Sequence, residues 1–158
     1  MKKQSIKFLT MIALVAVTIS SFTSCKKDND DPAPVATPGT ARVTIVHASP
    51  NAPGVDLLLN GTKLNSAAVE YLDETGYLTV NEGTQNIKVN VFGTSTTVIN
   101  ADVPFTKNKD YSIFAIDSVS KISALVTTDD LTTPASGKAH VRFIHLSPDA
   151  PAVDVALA

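Results

Sequence analysis

Histidine, serine and aspartate, the residue types of an acyl-transfer triad, stand close together at His47, Ser49 and Asp56, and again at His145, Ser147 and Asp154. In such a triad the serine hydroxyl attacks a carbonyl carbon, histidine takes its proton, and aspartate fixes the imidazole. The spacing opposes that chemistry. His47 follows Val43 and Ile45 in steps of two, so the three share one face of an extended strand, whereas Asp56 alternates with Val55, Leu57 and Leu59 and falls on the other face. Ser49 precedes Pro50, which holds it extended, and the chain has no Gly-x-Ser-x-Gly elbow. The expected roles are architectural, in a protein that is not an enzyme. His47 is a partly buried, hydrogen-bonded residue, and Asp56 accepts from loop N–H groups. Ser49, Pro50 and Pro53 make a rigid turn, and His145, Ser147, Pro148, Pro151 and Asp154 repeat the device.

Other chemistries fare no better. A metal site needs three or four converging ligands. His47 and His145 belong to different copies of the motif, and His140 is matched by Arg42, so no metal and no cofactor is expected. Asp28-Asn29-Asp30 opens like a calcium loop, but Ala33 stands where the loop needs glycine and Gly39 where it needs an acid. A glycan platform would use exposed aromatic rings. Tyr71, Tyr77, Phe92 and Phe105 are the candidates in a chain without tryptophan. Without Lys2, Lys3 and Lys7 of the leader, ten basic residues face fifteen acidic ones, a net charge of −5. That balance excludes a nucleic-acid partner, which requires a basic face.

The elements that position these residues occur twice. Residues 41–60 (ARVTIVHASPNAPGVDLLLN) and 139–158 (AHVRFIHLSPDAPAVDVALA) align at an offset of 98, with ten of twenty positions identical. A period that long is one small domain rather than a solenoid unit. The organisation expected is a domain at 41–131, a Thr/Pro/Ser/Gly-rich linker at 132–138, and the truncated start of a second copy at 139–158.

Within the first copy, short alternating runs are punctuated by turns. Val43, Ile45 and His47 form one inward set, and Val55, Leu57 and Leu59 the next. Asn60-Gly61 is a two-residue hairpin signal, with 62–65 as the return strand. Residues 66–75 read as either a helical turn or an irregular crossing. Further strands are expected over 76–80, 86–92, 96–103, 111–117 and 121–127. Seven or eight such strands without an amphipathic helix predict an all-β, antiparallel, Ig-like sandwich, with a small β-barrel as the alternative.

The first 24 residues read as a signal peptide. Lys2, Lys3 and Lys7 precede an apolar run over 8–19, too short to span a ~30 Å hydrocarbon core comfortably, and then small residues lead to Cys25. Cys25 is the only cysteine, so no intrachain disulfide forms. Phe22-Thr23-Ser24-Cys25 resembles a bacterial lipobox, with Phe22 where the common pattern has leucine, and the leader is similar to those of Bacteroidota-type lipoproteins. That resemblance implies lipidation at Cys25, whose two acyl chains suffice for stable anchoring. Residues 25–40 then form a charged, Pro- and Ala-rich flexible tether. Lys27, Asp28, Asp30 and Asp31 resemble the short signals that send such lipoproteins to the outer face of the outer membrane.

The pattern V-x-x-x-H-x-S-P-x-A-P-x-V-D, present over 43–56 and over 141–154, resembles the signature of the bacterial "domain of unknown function 4397" family. The resemblance implies exported or lipid-anchored proteins with tandem β-domains, and no known reaction. The expected function is a cell-envelope lipoprotein, anchored in the outer membrane by its N-terminal lipid and displayed at the cell surface. Its tandem domains would take a structural or interaction role toward an extracellular protein or glycan. The alternative is a glycan-binding surface lipoprotein in nutrient capture.

Overall fold

Alternation of apolar and polar side chains builds the molecule, strand by strand. The computed structural model describes residues 37–156. The signal peptide, Cys25, most of the tether and residues 157–158 lie outside the described residues. Eight strands form among the described residues: β1 Thr40–His47, β2 Val55–Leu59, β3 Thr62–Lys63, β4 Leu78–Asn81, β5 Gly83–Val91, β6 Thr97–Phe105, β7 Asp110–Ile116 and β8 Ser123–Asp129. Among the described residues there is no α-helix, only one 3-10 turn at Val119–Lys121.

Two four-stranded sheets result, in the orders β4-β1-β7-β8 and β3-β2-β5-β6. Their inner faces meet in one core. Val43, Ile45, Val80, Ile113 and Ala115 come from the first sheet, and Val55, Leu57, Ile87, Val89, Ile99 and Phe105 from the second. The sandwich is thus the architecture that forms, and neither sheet closes into a barrel. Pairing is antiparallel with one exception: β1 and β7 run parallel, Arg42 opposite Asp110 through His47 opposite Ala115. The purely antiparallel expectation is corrected at that pair. Alternation fixes which face a residue takes, but not which strand lies beside it.

Local chemistry sets the connections. Asn60 (φ 48°) and Gly61 (φ 82°) both have positive φ, as a type I′ turn demands. The return strand is shorter than expected, since β3 ends at Lys63. Beyond it, the Asn65 side chain takes over the ladder: its Oδ1 accepts from Leu57 N–H (2.8 Å) and its Nδ2 donates to the Val55 carbonyl (3.1 Å). A side-chain amide carries the same donor and acceptor as a peptide group, so it covers the edge of β2 without another strand residue. Residues 66–75 are an irregular crossing with isolated bridges at Val55–Val69 and Val46–Glu74.

The second occurrence of the motif differs from the first. Residues 139–156 contain no strand, so the repeat of the sequence is not accompanied by a repeat of the ladder. The partners that pair with β1 and β2 in the first copy, namely β4, β7, β3 and β5, have no counterparts within 139–156.

Candidate functional site

The Ser-Pro loop connects β1 of one sheet to β2 of the other. β1 delivers His47 inward as the last of the series Ala41, Val43, Ile45, His47. Its side chain is not partly but fully buried, at 1% exposure. Both ring nitrogens are used. Nδ1 accepts from the Ser49 backbone N–H (3.3 Å), and Nε2 lies 3.2 Å from the Pro53 carbonyl. A carbonyl only accepts, so Nε2 carries the proton and the ring is held as one tautomer. The imidazole therefore cross-braces the loop from its second residue to its sixth.

Ser49 is fully buried. Its hydroxyl donates to the Asp117 carbonyl and does not face the imidazole. The nucleophile–base hydrogen bond that acyl transfer needs is thus replaced by two structural bonds. Asp117 reaches this position with a positive φ of 67°.

Asp56 sits on the opposite face of β2, as its parity requires, and is covered there. Lys63 Nζ lies 2.7 Å from Oδ1, Gly93 N–H donates to Oδ2 (3.0 Å), and Asn65 Nδ2 donates to Oδ1 (3.3 Å). The hydrogen bond from Lys63 holds this carboxyl below its ordinary value. Burial opposes it, and Gly93 and Asn65 add to it. The expectation of a loop N–H partner is met at Gly93 in the β5–β6 turn. Lys63 and Asn65 were not legible as partners, although their place just past the Asn60-Gly61 hairpin puts them beside β2.

The second motif makes the same brace outside any strand. His145 Nδ1 accepts from Ser147 N–H (3.3 Å), and Nε2 lies 3.1 Å from the Pro151 carbonyl. The same two contacts thus accompany the His-x-Ser-Pro-x-Ala-Pro segment both where the histidine is buried and where it is exposed. Pro50, Pro53, Pro148 and Pro151 restrict the backbone to the conformations the brace needs. Asp154 is exposed.

A polar cluster that sequence reasoning missed lies on the outer face of the first sheet. The Asp129 side chain is only 4% exposed. It accepts from Tyr77 OH and Ser112 Oγ, each at 2.7 Å, and pairs with Arg142. Burial alone would push this carboxyl up, but the bonds from Ser112, Tyr77 and Arg142 outweigh it and hold it below its ordinary value. Burial, and then Asp129, push the Tyr77 phenol up. Beside it, Arg42 makes a two-point bond to Asp110 (2.6 and 3.0 Å) and stacks its guanidinium 5.2 Å from the Tyr77 ring centre. The signal available was the alternation of polar residues at 110, 112, 127 and 129, which places them on one outer face.

The aromatic candidates separate. Phe105 is buried in the core at 3% exposure, stacked edge-on against Tyr111, and is withdrawn from the list of exposed rings. Tyr71, Tyr77 and Phe92 are exposed. Tyr71 packs edge-on to His47, Tyr77 belongs to the Asp129 cluster, and Phe92 carries the Lys63 ammonium 5.1 Å from its ring centre. Among the described residues, no three His, Cys, Asp or Glu side chains group to hold a metal ion. No helix among them is long and apolar enough to cross a membrane.

A family model described as "Domain of unknown function (DUF4397)" matches residues 41–156. No curated protein matches the chain. Among solved structures, a non-hemolytic pneumolysin from Streptococcus pneumoniae strain ST306 is similar over 60% of this chain and 24% of its own, at 12% identity and a TM-score of 0.39. A structure described as a Gram-negative toxin is similar over 59% of this chain and 24% of its own, at 12% identity and a TM-score of 0.37. Listeriolysin O is similar over 59% of this chain and 23% of its own, at 16% identity and a TM-score of 0.34. The chain thus spans about a quarter of the length of each.

Proposed function

The chain belongs to the family of the domain of unknown function 4397, and from that premise we propose that it is a cell-envelope lipoprotein presenting a β-sandwich in a structural or interaction role. The observation that carries the non-enzymatic part is the use of the motif's reactive groups. Both nitrogens of His47, the hydroxyl of Ser49 and the carboxylate of Asp56 are each spent on an internal partner. A catalytic group needs a face free for substrate, and Ser49 has none. Hydrolytic activity in the purified protein that is lost on changing Ser49→Ala, with the melting temperature retained, would overturn this reading.

The envelope part rests on the leader and on Cys25. Lipidation at Cys25 makes that residue the mature N-terminus, and residues 26–40 then hold the sandwich off the membrane. A linker of fifteen residues would reach about 20 Å as a random coil. Cys25→Ala is expected to move the protein from the detergent phase to the aqueous phase on phase separation of labelled cells. Unchanged partitioning would refute the anchor. Protease accessibility in intact cells would then report display at the surface.

A further inference from the structure

We propose that the outer face of the β4-β1-β7-β8 sheet is a docking surface for the leading segment of a following repeat, received parallel to β1. The inference extends the display of the sandwich proposed above by saying how a second copy of the motif attaches. It rests on contacts of residues 140–149 alone, so failure of the lipid anchor would leave it intact.

At the offset of 98, Arg142, Ile144 and Leu146 match Thr44, Val46 and Ala48, and Val141, Phe143 and His145 match Val43, Ile45 and His47. In the first copy the latter set faces the core. In the second copy the two sets divide sharply. The core-type residues Val141 and Phe143 are 79% and 62% exposed, and Val153 and Val155 are 51% and 60% exposed. The outer-type residues lie against the first copy instead. Arg142 donates to Asp129, to the Thr127 hydroxyl (3.1 Å) and to the Thr128 carbonyl (2.6 Å). Ile144 and Leu146 are half-buried. The segment has thus turned toward the domain the face that its own sandwich would not need.

The direction follows from the contacts. Arg142 bonds Thr127, which pairs with Ser112, which pairs with Thr44, the residue that Arg142 matches. Farther along, Leu146, Pro148 and Asp149 line one recess with Ala48, Pro50 and Asn51, the three residues they match. Arg142 reaches β8 at the level of Thr44, and the Ser-Pro segments meet at the far end, so the second motif runs parallel to β1 and the two Ser-Pro loops fall at the same end. The surface suits such an occupant. The buried Asp129 carboxylate takes an arginine at one end. Apolar positions on alternate residues then meet the Ala48, Tyr71 and Leu72 edge at the other. An extended segment of pattern Arg-x-Ile-x-Leu satisfies both.

The test uses the full chain and 15N relaxation by NMR. Residues 140–149 are expected to give heteronuclear NOE values equal to those of the strands. In the double variant Arg142→Ala, Ile144→Ser, those values should fall to the level of a free chain end. Strand values should stay unchanged, and the Ser112, Thr127 and Asp129 amide resonances should shift. Three results would overturn the proposal: a segment already mobile in the unchanged protein, a segment still rigid in the variant, or loss of the strand signals themselves. The last would make Arg142 part of the first domain's own stability rather than a dock for the next repeat.

Discussion

The two histidine braces form a matched pair, alike in bonding and opposite in environment, and replacing each with alanine measures what burial adds. His47 is 1% exposed, whereas His145 stands in solvent. In His47→Ala the lost pair of hydrogen bonds accounts for about 1–3 kcal/mol, since Ser49 N–H and the Pro53 carbonyl lose their partner away from water. The space vacated by the ring adds about 1–2 kcal/mol, depending on how far the loop collapses. A total near 3 kcal/mol lowers the melting temperature of a domain of this size by about 15 °C. In His145→Ala the freed groups find water, so the change should stay within about 0.5 kcal/mol. Thermal and urea unfolding of the two variants beside the unchanged protein give both numbers. Equal effects at the two sites, or a His47→Ala variant as stable as the parent, would refute the claim that the brace matters because it is buried.

Lys63→Met should raise the Asp56 pKa, because the Lys63 hydrogen bond is the leading influence that lowers it; carbon-detected NMR titration of the Asp56 carboxyl would show the shift, and an unmoved titration would refute it. The sign follows for stability. A carboxyl lowered in the folded state stabilises above its unfolded pKa, and that contribution is lost as pH falls through the folded value. Acid unfolding of Lys63→Met should therefore begin at higher pH than in the parent. Gly61→Ala forces an alanine to a φ of 82° in otherwise open space, so it should cost about 1–2 kcal/mol from backbone strain alone. A urea midpoint equal to the parent's would contradict the type I′ assignment.

Much of the sandwich was legible because its signals are local. Alternation at Val43, Ile45 and His47 and at Ile87, Val89 and Val91 identified inner faces, and Asn60-Gly61 fixed a hairpin. The opposition of His47 and Asp56 followed from parity alone and is what the structure has. The parts that stayed hidden join residues far apart in sequence. Ser49 meets Asp117 across 68 positions and Tyr77 meets Asp129 across 52, and no periodicity carries that information. Asn65 was hidden for a different reason: a side chain there does the work of a strand, so the return strand was read two residues too long. The brace closes within seven residues in both motifs, which explains why its residues stand out in the sequence more clearly than those of the polar cluster.

The parallel pair at the centre of the first sheet also governs when the fold can form. β1 lies between β4 and β7, and its β7 partners are 68 residues later, Arg42 with Asp110. Closing so long a loop costs entropy before any contact compensates for it, and sheets dominated by distant pairings fold slowly. The second sheet has no such delay, because β5 and β6 are joined by a short turn and β2 and β3 by two residues. On a chain appearing N-terminus first, β1 is therefore the earliest strand to emerge and among the last to be completed. Its edge toward β7 waits unpaired until Ile116 has followed. Its companion sheet can assemble in the meantime and offer Leu57, Ile87 and Val89 as a preformed floor on which β1 comes to rest.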